Sequence, residues 1–328
     1  MKMTPRSHGP RSGGTSRTLR ILALATVLTV ALIGGAAAQN STMAILPTPD
    51  GAWRPPDAVQ ASPLTLPVRL SIAGAGNFSV DPGAVERQRP EVFREGRFSV
   101  FDVLAHLGAT EQIDLEYHFD EELATHVVDS INGEDRWWYE ARYDGGWFER
   151  NVTRMDLYPI QNGTVIRFDR ISRDRLDGMH ETFREEALRL AENDGAVILP
   201  RVAIEGPRGE LLSFENVAVS AHDVRSDLFQ PGVITALDIL LSLGEQGHLT
   251  KVGLTWYEFI GSADPVEHYF IELVEGDDFL AQAFATCGFV YEVGPSEFAG
   301  FAGSHIHVAT DARVLVSPDY ALWFWLCL

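Results

Sequence analysis

Three stretches of the chain repeat apolar residues at three- and four-residue spacing, the mark of one helix face. Two of them resemble each other. Phe101-Asp102-Val103-Leu104-Ala105-His106-Leu107-Gly108 aligns without gaps on Leu237-Asp238-Ile239-Leu240-Leu241-Ser242-Leu243-Gly244. Gly108 and Gly244 stand where a C′ glycine would end each helix. The third stretch carries Leu176, Met179, Phe183, Ala187 and Leu190 on one stripe, with Ser172 or Asp174 to cap it and Gly195 to end it. Other segments alternate apolar and polar residues as half-buried strands do. Leu70-Ser71-Ile72-Ala73-Gly74 matches Val202-Ala203-Ile204-Glu205-Gly206, and Trp138-Tyr139-Glu140 matches Val290-Tyr291-Glu292. Asn162-Gly163 and Pro318-Asp319 are turn formers, each ahead of a final strand.

The same order of elements is therefore written twice: strand, a second strand or loop, helix, then about three strands. One helix on one face of a small mixed sheet is the β-grasp arrangement. The expected fold class is α+β, with two β-grasp-like modules at residues 65–171 and 197–328, joined by an amphipathic helical connector at 172–196.

The N-terminus reads differently. Lys2, Arg6, Arg11, Arg17 and Arg20 precede an apolar run from Ile21 to Ile33, and Ala36-Ala37-Ala38 follows. That is the layout of a secretory signal peptide, residues 1–38, cleaved before Gln39. The run is short for a membrane span, so the membrane is touched only if the segment, residues 21–38, stays uncleaved as an anchor. Pro47, Pro49, Pro55, Pro56 and Pro63 make residues 39–64 an expected Pro-rich, extended linker. The expected location is extracytoplasmic, secreted or at the cell surface.

Composition narrows the function. The 328 residues carry 26 Lys+Arg and 46 Asp+Glu, a net charge of −20. Such a surface neither neutralises nucleic-acid phosphates nor docks on anionic lipid, so no nucleic-acid partner is expected. Two cysteines exclude a disulfide-dense scaffold and a four-cysteine zinc site. Cys287 and Cys327 fall on strands that neighbour each other in a β-grasp sheet; they either pair across the strands or remain buried thiols. No phosphate loop, serine elbow, HExxH motif or dinucleotide fingerprint occurs, and no enzyme is expected.

The first unit also resembles a known family: the β-grasp-like module of unknown function found at the C-terminus of transcobalamin and intrinsic factor. The likeness rests on the short helix Val100-Phe101-Asp102-Val103-Leu104 and the strand and turn Val127-Val128-Asp129-Ser130-Ile131-Asn132-Gly133. It extends to the aromatic strand from Trp137 to Gly146 and the turn and strand Asn162-Gly163-Thr164-Val165-Ile166-Arg167-Phe168. It covers about residues 66–170, with a weaker copy at about 199–328. Tyr143-Asp144-Gly145-Gly146 departs from the family's usual Asn-Gly turn. The resemblance implies a secreted binding protein for a corrinoid such as cobalamin, or for another flat small molecule. The chain has no room for the helical barrel that completes the cobalamin site in those carriers.

Two local patterns carry candidate chemistry. Trp137, Trp138, Tyr139, Tyr143, Trp147 and Phe148 form an aromatic cluster whose alternation sends Trp138 to the face opposite Trp137 and Tyr139. An exposed aromatic face suits a flat ring, sugar or peptide, so Trp138, Tyr143 and Trp147 are the expected ligand contacts. On the C-terminal strand, Trp323-Phe324-Trp325-Leu326 repeats the two-faced aromatic character, which burial on both faces would also explain. His305-Ile306-His307 puts two imidazoles on one strand face, a geometry that chelates Zn²⁺, Cu²⁺ or Fe²⁺ with His268, Glu292 or Asp311 as a third ligand. The alternative is a polar strand face that happens to carry histidine. The leading expectation is a binding protein whose partner is a small molecule or a cell-surface protein or glycan. The alternatives are a metal-dependent extracellular enzyme using His305 and His307, and a structural or adhesive surface module.

Overall fold

A computed structural model describes residues 43–55, 59–142, 153–259, 266–294 and 308–327. Signal-segment residues 1–38, Tyr143, Trp147, His305 and His307 lie outside them. The described chain is mixed α+β, mostly sheet with three α-helices.

The first half contains β2 (Val68–Ile72), β3 (Gly76–Val80), α1 (Val100–Ala109), β4 (Leu115–Asp120), β5 (Thr125–Ile131), β6 (Trp137–Arg142) and β7 (Val165–Arg170). The sheet order is β3-β2-β7-β6, with β2 parallel to β7 and the other pairs antiparallel, while β4 and β5 form a separate hairpin. α2 (Arg173–Glu192) follows, its start capped by the Ser172 hydroxyl.

The second half contains β8 (Val197–Glu205), β9 (Leu211–Val219), α3 (Ala236–Glu245), β10 (Lys251–Tyr257), β11 (His268–Gly276), β12 (Phe279–Gln282), β13 (Cys287–Gly294) and β14 (Tyr320–Cys327). Its sheet order is β9-β8-β14-β13, with β8 parallel to β14 and the rest antiparallel. Order and sense match the first sheet strand for strand. The register matches too: Trp138 faces Asp169 on β7, and Val290 faces Phe324 on β14.

The helices of both halves are made alike. Ser99 with Asp102, and Thr235 with Asp238, form reciprocal capping boxes. Each buried aspartate also accepts a backbone N–H from the preceding loop, Gln88 at 2.6 Å or His222 at 2.8 Å. The helix apolar faces enter separate cores. Phe101, Val103, Leu104 and Leu107 sit in one, and Leu237, Ile239, Leu240 and Leu243 in the other.

The expected role of Gly108 and Gly244 is corrected. Both lie inside their helices, and neither has a positive φ. They are small because something presses on them. A Cβ on Gly108 would come within 2.9 Å of Leu115, and one on Gly244 within 2.2 Å of the Trp53 ring.

That ring belongs to residues 39–64, expected as a linker. Its described part is built into the fold. β1 (Met43–Leu46) pairs antiparallel with β10, and Leu46 is fully buried in the second core. Proline spacing hid this strand, because four residues carry no readable alternation.

The halves meet around a pseudo-twofold contact. Phe93 and Phe229 form an isolated antiparallel bridge with ring centroids 5.6 Å apart. Arg94 donates to the Leu228 carbonyl at 2.9 Å, and Gln230 returns the bond to Val92 at 2.8 Å. Residues near Ala61 cross the same seam, Arg97 donating to the Ala61 carbonyl and Ala61 N–H to Asp227.

Candidate functional site

The aromatic strand does not form an open platform. Trp138 is 5% exposed, inside the first core, with its ring 6.1 Å from Phe183 of α2. This corrects its expected place as a ligand contact: the connector helix covers the end of β6 that alternation left open. Tyr139 faces the other way, fully buried, and donates to the Thr153 carbonyl at 2.9 Å. Tyr291 makes the equivalent bond to the Val308 carbonyl. A cavity of about 10 Å³, lined by Trp137, Trp138, His126, His180 and Phe183, lies beneath α2. That is room for about one water molecule and no larger ligand. Trp323 is also fully buried, while Phe324 and Trp325 are partly covered.

Each half holds a buried Arg–Asp cluster that motif reading missed. In the first, Arg89 binds Asp156 at 2.7 Å and lies 5.4 Å over the Phe119 ring. Asp156 also accepts the Thr125 hydroxyl at 2.6 Å and the His126 N–H at 3.0 Å. In the second, Arg225 binds Asp311 at 2.9 Å and lies 5.1 Å over Trp256. Asp311 accepts the Tyr269 N–H at 3.0 Å and faces His268 Nδ1 at 2.9 Å. Burial pushes both carboxylates up, but their partners outweigh it. The charges of His268 and Arg225 hold Asp311 at about 2, and His126 and Arg89 keep Asp156 below its ordinary value. A sequence signal existed: Arg89-Pro90-Glu91-Val92-Phe93 aligns without gaps on Arg225-Ser226-Asp227-Leu228-Phe229, each ten residues before its capping Ser99 or Thr235.

Chemically these clusters are pins. Each ties the pre-helix loop, the hairpin and the loop before the last strand to one buried carboxylate, and that pinning brings the hairpin against the helix. His268, named as a possible third metal ligand, instead presents Nδ1 to Asp311 at 2.9 Å and Nε2 to Gln161 at 3.0 Å. Glu292 accepts the Tyr320 hydroxyl at 2.9 Å. Among the described residues, no group of three or more His, Cys, Asp or Glu is placed to hold a metal ion.

Cys287 and Cys327 are disulfide-bonded at opposed positions of β13 and β14.

Two features of the first half face solvent. One is an open depression of about 520 Å³ at the β2–β3 turn, lined by Ser71, Gly74, Asn77, Arg167 and Asp169 among others. It is shallow, and Ser71 and Arg167 stand at strand positions that alternate with buried Leu70, Ile72, Ile166 and Phe168. The other is the β4–β5 hairpin. The equivalent β10–β11 hairpin is extended by β1 on one side and β12 on the other, so Val252 and Leu254 are fully buried. On β4, Tyr117 and Phe119 are 40% and 39% exposed.

The chain matches no family model, no curated protein and no solved structure. Among the described residues, no helix is long and apolar enough to cross a membrane.

Proposed function

We propose that the chain is an exported binding protein of two β-grasp-like modules, in which the first receives the ligand and the second is completed by the chain's own N-terminal strand. The observation that carries this reading is the unequal covering of two alike hairpins: β1 lies on β10, and no described strand lies on the outer edge of β4. Unequal covering of equal parts marks the first half as the surface left for something else. The signal-like N-terminus supports export, and the disulfide suits an oxidising compartment. For a small ligand, the open depression between Ser71, Asn77, Arg167 and Asp169 is the candidate surface. The sequence resemblance supplies the class, a corrinoid or another flat molecule.

The test is the melting temperature of residues 39–328 against hydroxocobalamin and other corrinoids. A ligand at a hundred times its Kd adds about 2.7 kcal/mol, worth roughly 2–4 °C per kcal/mol for domains of this size. The expected result is a rise that Arg167→Ala removes. An unchanged melting temperature with every corrinoid would overturn that ligand class.

A further inference from the structure

The chain itself shows what the edge of this hairpin accepts. In the second half, Met43, Ala44, Ile45 and Leu46 lie antiparallel opposite Thr255, Leu254, Gly253 and Val252. The two hairpins superpose by register. Both carry an irregularity at the same place, between Glu116 and Tyr117 and between Gly253 and Leu254. Phe119 meets His126 edge-on at 5.1 Å, as Trp256 meets Tyr269 at 5.1 Å. Leu115, Glu116, Tyr117 and His118 thus stand where Val252, Gly253, Leu254 and Thr255 stand.

The difference is the cover. Leu46 closes the second core beside Val252 and Leu254. The equivalent Leu115 is only partly buried and Tyr117 is exposed, although Tyr117 already meets Phe101 of α1 at 5.1 Å. A strand edge on which no described strand lies, with a half-covered apolar row, is a template for strand addition. Charge selects the guest. Exposed Glu116, Glu121, Glu122 and Asp129 surround the edge with Asp120, and His118 is already bonded to Asp129 at 2.9 Å. Arg184 of α2 faces this group, 3.7 Å from Glu122, and Arg89 lies over the Phe119 ring. A second copy would bring the same acidic row against itself, so a self-paired edge is disfavoured.

We propose that the outer edge of β4 binds an extended segment of another protein as an antiparallel strand, apolar residues turned toward Leu115 and Tyr117 and Lys or Arg set opposite Glu116 and His118. This rests on the reading of the first module as the binding one.

The probe is a fluorescein-labelled nonapeptide alternating valine and lysine, titrated into residues 39–328 by anisotropy. Its controls are the valine–glutamate peptide and a valine–lysine peptide N-methylated on one edge. The valine–lysine peptide binds and slows amide exchange over 115–120. The glutamate peptide does not bind, and each blocked backbone bond weakens binding roughly tenfold. Glu116→Gln removes the charge and keeps an acceptor for the Ser130 hydroxyl, now bonded at 2.9 Å, and weakens the lysine peptide roughly two- to fivefold. Absence of binding, equal binding of the N-methylated peptide, or no effect of Glu116→Gln overturns the proposal. A corrinoid shift with no peptide binding removes the strand site alone; failure of both removes the binding reading as well.

Discussion

At the residue scale, the two buried aspartates are the sharpest feature of the molecule. Asp311 is fully buried beside Arg225. Asp311→Asn takes one of two carboxylates from that guanidinium, Asp227 keeping its bidentate contact at 2.9 and 3.0 Å, and losing a buried hydrogen-bonded partner costs about 1–3 kcal/mol, measurable by urea denaturation. The pH dependence follows in sign. Asp311 falls from 3.8 to about 2 on folding. A depressed carboxylate stabilises the native state above its unfolded pKa, and that stability, about 2 kcal/mol, is lost as pH falls from roughly 4 to 2. The stability gap between wild type and Asp311→Asn should therefore narrow over that window; a constant gap would contradict the assignment. Sequence reading met Asp102 and Asp238 only as matching positions of the two aligned helix segments. It passed over Asp156 and named Asp311 only as a possible metal ligand, because Arg89 and Arg225 reach them from 67 and 86 residues away.

At the element scale, the helices were legible because each buries one stripe. The last strands were legible because turns precede them. The hairpins were not: Leu115-Glu116-Tyr117-His118-Phe119-Asp120 mixes charge and aromatic rings on an edge that is mostly exposed. The glycines in α1 and α3 were seen, but for the wrong reason, since the chain that presses on Gly244 lies nearly 200 residues upstream. Gly244→Ala should cost about 1–3 kcal/mol by overpacking, and Trp53→Ala in the same chain should recover part of it. A Gly244→Ala protein as stable as wild type would show that Trp53 does not pack there. Trp138 failed as a platform residue for a related reason. Strand alternation finds the two faces of β6, but not that α2, nearly 40 residues later, covers one end.

At the scale of the whole molecule, the repeated order of elements was legible and the unequal cover of the two hairpins was not. Repetition is written in gapless segments, whereas the strand that completes one copy sits among prolines before either. Export predicts that the N-terminus of the secreted protein is Gln39; retention of Met1 would contradict cleavage. The disulfide closes a 40-residue separation, and its reduction should lower stability by about 4 kcal/mol on the chain-entropy model, read by denaturation with and without reductant. An unchanged midpoint would show that β13 and β14 hold without it.

The central claim is that one hairpin is finished by the chain and its twin is left open. Amide hydrogen exchange on residues 39–328, with no ligand added, tests it most directly. The account predicts slow exchange over Val252–Thr255, paired on both edges. It predicts exchange roughly a hundredfold faster at the outward amides of Leu115–Phe119. Equal protection of the two segments would mean that β4 is already covered, and the account of an open first module would fall.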